Sequence, residues 1–76
     1  MFAMRYKMIG LKIAYYRKMR GYTQGQLACK IGISTTYLGQ IERGNNGKSY
    51  SLETLLSIAV GLDIDVNLLL SSSEKI

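Results

Sequence analysis

The 76 residues include no proline, no histidine and no tryptophan, and only one cysteine, Cys29. A single thiol excludes an internal disulfide, and a chain without histidine lacks the commonest general base and metal ligand. No Gly-rich phosphate loop and no paired carboxylates in a candidate pocket take their place. Neither an enzyme nor a metal or cofactor site is therefore expected. No apolar run approaches the ~20 residues that a membrane helix needs, Leu68 to Leu70 being the longest aliphatic run near the end. Nor is there a signal-peptide pattern. Together these absences predict a cytoplasmic protein with no membrane partner and no evident small-molecule ligand. Acids are also scarce at one end. Residues 1–50 carry nine Lys or Arg against Glu42 alone, whereas residues 51–76 carry Lys75 against Glu53, Asp63, Asp65 and Glu74. A basic front and a slightly acidic back favour a polyanion approaching from one side.

No strand pattern is present, and a chain this short holds one small core. The expected class is all-α. Residues 1–7 read as an N-terminal extension, residues 8–70 as the folded domain, and residues 71–76 as a polar tail. A first helix is expected from about Met8 to Arg20, with Ile9, Ile13 and Tyr16 at helical spacing and Lys12, Arg17 and Lys18 between them. The methionines and Tyr15 are expected to fill gaps around it. Thr23 and Gln26 have capping-box spacing, so a second helix starts there and runs to Ile31. Gly32 can take the left-handed backbone that ends it. Ser34 caps a third helix running through Arg43 to Gly44. Ser51 caps a fourth, with the stripe Leu52, Leu55, Ile58, Ala59 and Leu62. Asp65 caps a short fifth that turns Val66, Leu69 and Leu70 inward.

Two short helices hinged on a glycine, with Ala28 small enough for a close crossing, form a helix-turn-helix pattern. The outer positions of the third helix are polar and none is acidic, as suits a helix that enters a DNA groove. Thr35, Thr36 and Gln40 share one face and are the candidate base readers. Gln40 can pair bidentately with an adenine edge, and threonine offers a hydroxyl and a methyl. Gly39 leaves a bare spot beside them. Tyr37 has two open readings, packed against the core or stacked on a sugar with its hydroxyl on a phosphate. The N-terminus of the second helix offers free N–H groups to a phosphate, and Thr23, chiefly a cap, and Ser34, which opens the next helix, are candidate backbone contacts there.

The stretch TQGQLACKIGISTTYLGQIERG followed by SLETLLSIAVGLDIDVNLLL resembles the Cro and lambda-repressor type of helix-turn-helix domain, the XRE family. The resemblance covers roughly residues 9 to 70. It implies five helices, with the third in the major groove of double-stranded DNA. It further implies that Gln24 clamps a phosphate and that Arg43, Asn45, Asn46 and Lys48 lie where the family meets the second phosphate strand. Arg17 and Glu42 correspond to an ion pair between the first and third helices.

One such helix reads only a few base pairs, so a homodimer on a palindromic operator is expected. Leu56, Val60, Ile64 and Leu68 are left over from the core stripes and are the candidate dimer interface. The favoured function is a transcription regulator, a repressor or an autoregulatory controller like those of restriction–modification systems. The alternative is a protein-interaction module such as an antitoxin or adaptor. Cys29 falls on the outer side of the second helix, with no second thiol to make it a redox switch.

Overall fold

The computed structural model describes residues 2–45 and 48–71. Asn46, one of the candidate phosphate contacts, and residues 72–76 of the expected tail lie outside them. Among the described residues the chain forms α1 (Ala3–Met19), α2 (Gln24–Ile31), α3 (Thr35–Glu42), α4 (Leu52–Leu62) and α5 (Val66–Leu70). No helix of the described residues is long and apolar enough to cross a membrane.

The short helices owe their bounds to side chains. Thr23 Oγ1 accepts the Gln26 N–H at 3.1 Å, and Gln26 Oε1 accepts the Thr23 N–H at 2.9 Å. Both partners of a capping box are thus in place at the start of α2. Its other end closes at Gly32, whose φ of +79° suits glycine, with Ile33 N–H donating to the Ala28 carbonyl at 3.0 Å. One residue later Ser34 Oγ accepts the Tyr37 N–H and opens α3. Ser51 does the same for α4 through the Thr54 N–H at 3.1 Å. That helix ends on Asp63 at φ +56°, one of the few side chains that tolerate a left-handed backbone.

Ile13, Leu27, Leu38, Ile41, Ile58, Leu62 and Leu69 are wholly buried and draw a core residue from every helix. Ala28 and Ala59 lie among them. Two glycines permit the closest helix crossings. A β-carbon on Gly10 would meet the α3 backbone, and one on Gly61 would lie 2.5 Å from Ile31 Cγ2 on α2.

Several expectations change. The first helix begins at Ala3 rather than near Met8, so most of the supposed extension is helical. Helix α3 stops at Glu42, with Arg43 as its C-cap. Leu52 is 63% exposed, because the first position of α4 precedes the turn that meets the core. Leu70 is also exposed. A five-residue helix presents one line inward, and Val66 and Leu69, three apart, occupy it. Met4, Met19 and Tyr15 are exposed rather than filling gaps, Tyr15 meeting Tyr16 edge-on at 5.1 Å. Lys12 is the reverse case. Placed by spacing between the apolar residues of the first helix, it is buried, and its ammonium caps the end of α5 by donating to the Ser71 carbonyl and, at 3.3 Å, to Ser71 Oγ.

Candidate nucleic-acid interface

Helix α3 is fixed from behind and open in front. Leu38, Gly39, Ile41 and Glu42 are buried, whereas Thr35, Thr36 and Gln40 are exposed on its outer side. Behind it, the carboxylate of Glu42 receives three donors. Arg17 Nε lies 2.7 Å from Oε2 and Arg17 Nη2 3.1 Å from Oε1, a forked pair. Gln24 Nε2 donates to the same Oε1 at 3.0 Å. Arg17 also donates to the Tyr22 carbonyl at 2.8 Å. Glu42 therefore ties α1 and α2 to α3, and Arg17 brings in the α1–α2 turn. Any tilt of α3 must break these bonds together.

The first turns of α2 and α3 are neighbours. A β-carbon on Gly25 would sit 3.7 Å from Thr35 Oγ1. The N–H groups of Gln24 and Gly25 face out of the α2 end without an intrahelical acceptor, beside the exposed Thr23 and Ser34. Thr23 and Ser34 both use their hydroxyls as caps. Gln24 is half-buried, its amide nitrogen held by Glu42. Gly39 is not a bare spot. Arg43 Nη1 and the Gln24 amide lie over it, 3.3 and 3.6 Å from where a β-carbon would stand.

At the other end of α3, Arg43 and Lys48 are exposed, and Asn45 is half-buried with its amide donating to the Lys48 carbonyl at 3.0 Å. Of the two readings of Tyr37, the structure places the ring against the core. It adjoins Tyr50, whose ring meets Tyr6 at 5.5 Å. Burial pushes the Tyr50 hydroxyl up to about 12, with the Tyr6 and Tyr37 phenols adding to the effect. Of the candidate dimer residues, Leu56, Val60 and Leu68 are exposed, Val60 most at 77%. Ile64 instead packs against the core from the α4–α5 turn. Cys29 is exposed.

Sequence reasoning missed Gly10. Its signal was present, a glycine inside a helical pattern, which loses ~1 kcal/mol against alanine unless packing requires it.

Two short helices set on a glycine turn, the second held from behind and open in front, define a helix-turn-helix protein. The chain belongs to the helix-turn-helix family, which it matches over residues 13–69. It is 38% identical over 68 residues to the transcriptional regulator SinR of Bacillus licheniformis, covering 90% of this chain and 60% of that protein. The chain thus spans about three-fifths of the length of that relative. Its structure is similar to the restriction–modification controller C.AhdI of Aeromonas hydrophila, with a TM-score of 0.78 and 31% identity, covering 84% and 94% of the two chains. It is also similar to SinR, a master regulator for biofilm formation, in complex with DNA. That match has a TM-score of 0.77 and 41% identity, and covers 84% of this chain and 100% of the other.

Proposed function

We propose that the protein is a sequence-specific transcription regulator that binds a short palindromic DNA operator as a homodimer, with α3 in the major groove. One observation carries this reading. Thr35, Thr36 and Gln40 stand exposed on a helix whose opposite face is locked by the Arg17–Glu42–Gln24 bonds. Polar side chains on a rigid rod can meet base edges without losing much freedom on binding. The similarity to the DNA complex of SinR supports the same use of the fold.

The phosphate contacts follow from the flanks of this helix. The free N–H groups of Gln24 and Gly25 suit a phosphate oxygen, and the exposed Thr23 and Ser34 border the same spot. Gln24, its amide committed to Glu42, serves by presenting its backbone and by holding α3. Arg43 and Lys48 meet the strand at the far end of α3, with Asn45 shaping the loop between them.

The dimer contact lies on α4 and α5. Leu56 and Val60 border a groove of about 360 Å³ against Lys30 and Ile31, and Leu68 on α5 is exposed as well. A two-fold pair reading one operator needs its two copies of α3 about one duplex turn (~34 Å) apart. The likeness to C.AhdI favours an autoregulatory controller or repressor.

Selection of bound duplexes from a random pool tests the reading. It expects a palindromic consensus with half-sites one turn apart. A pool that stays random, held only by salt-labile binding, overturns it.

A further inference from the structure

Lys7 lies ahead of the segment that matches the family, and the sequence gives it no role beyond a place in an extension. The structure puts it elsewhere. It sits in the second turn of α1, and its backbone packs on Gly44. A β-carbon on Gly44, which has φ +93°, would lie 3.2 Å from Lys7 Cα. Tyr6, one residue earlier, meets Tyr50 at 5.5 Å and ties the same turn to the segment that follows Lys48. Asn45 and Lys48 exchange bonds, Lys48 N–H donating to the Asn45 carbonyl at 2.9 Å and the Asn45 amide to the Lys48 carbonyl. These contacts gather Lys7, Arg43 and Lys48 around Gly44, and all three are exposed.

Nothing described offsets their charge. Glu42 is the only acid in residues 1–50. Both of its oxygens are already engaged by Arg17 and Gln24. None of the three cations makes an ion pair among the described residues. Three positive charges on one small surface repel each other until an anion arrives. The carbonyl end of α3 offsets part of this repulsion, but such effects fade within one turn.

We infer that Lys7 is a phosphate-binding residue that joins Arg43 and Lys48 on one strand of the duplex beside the C-terminal end of α3. This rests on the proposed docking of α3 in the major groove. It extends the footprint from the helix-turn-helix onto α1. Arg5 is an internal control. It lies two positions from Lys7, about 200° around the helix, and lines a groove with Met8 and Leu69 on the α5 side.

The experiment measures affinity for the selected duplex between 50 and 200 mM salt for wild type, Lys7→Gln and Arg5→Gln. Thermal melting of each variant checks folding. Loss of one phosphate contact in each protomer of the dimer lowers the log–log salt slope by about 1.8, so a fourfold rise in salt weakens Lys7→Gln about 12-fold less than wild type. Arg5→Gln keeps the wild-type slope, and both variants melt like wild type. An unchanged slope in Lys7→Gln overturns the inference while the function stands. Equal losses in the two variants overturn it as well, since that pattern marks diffuse charge rather than a contact. If wild type shows no selective duplex binding at all, the proposed function falls and the inference with it.

Discussion

Gly10 of α1 touches the backbone of Glu42 so closely that a β-carbon there would lie 2.4 Å from the Glu42 carbonyl oxygen and 2.6 Å from that of Ile41. Neither oxygen can yield without moving α3. The same Glu42 is gripped on its side chain by Arg17 and Gln24, so one residue fixes both the depth and the tilt of the exposed helix.

Gly10→Ala tests the depth. Alanine favours a helix by ~1 kcal/mol, yet overpacking against rigid backbone costs about 1–3 kcal/mol or more. Net destabilisation is expected in urea denaturation, together with weaker duplex binding at temperatures where the variant stays folded. A variant as stable as wild type refutes the close crossing.

Glu42→Ala tests the tilt. It leaves the buried Arg17 guanidinium without its carboxylate, which costs about 3–5 kcal/mol. The urea midpoint should fall accordingly, and the surviving folded fraction should bind duplex more weakly because α3 loses its brace. Unchanged affinity in a folded Glu42→Ala variant separates the ion pair from DNA binding.

Tyr50 gives a pH dependence. Its hydroxyl ionises near 12 in the folded chain and near 10 when unfolded. The folded state therefore holds its proton where the unfolded state has released it. This contribution is complete below pH 10 and is lost as pH rises from 10 to 12. Melting temperature in that window should fall more steeply for wild type than for Tyr50→Phe. Parallel curves contradict the assignment.

Val60→Glu and Leu68→Glu address the dimer. Both side chains are exposed, so folding should survive, while a charge at the centre of an apolar contact breaks it. Light scattering should report a monomer, with operator binding weakened. A Val60→Glu protein that stays dimeric moves the interface off this face.

Much of this architecture was legible because local chemistry marks it. Thr23 with Gln26, Ser34, Ser51 and Asp65 are caps whose partners lie two or three residues away, so spacing alone locates the helix starts. Gly32 is legible for the same reason. Gly10, Lys12 and Leu52 were not, because each depends on a distant segment. Gly10 answers to the α3 backbone, Lys12 to the last turn of α5, and Leu52 to where α4 first reaches the core. The start of α1 was missed because Phe2 provides no side-chain cap. In the candidate site, the outward face of α3 follows from helical period. The hold of Gln24 on Glu42 and the covering of Gly39 arise only once α2 and α3 cross.

Everything proposed for this protein depends on α3 reading bases. The most direct measurement compares Gln40→Ala with wild type on the selected operator and on a scrambled duplex of the same composition. A lost bidentate base contact costs about 1–3 kcal/mol of discrimination. Because both half-sites lose the contact, preference for the operator should fall by about 2–6 kcal/mol while affinity for the scrambled duplex is unchanged. A Gln40→Ala protein with undiminished preference, or with equal losses on both duplexes, contradicts it.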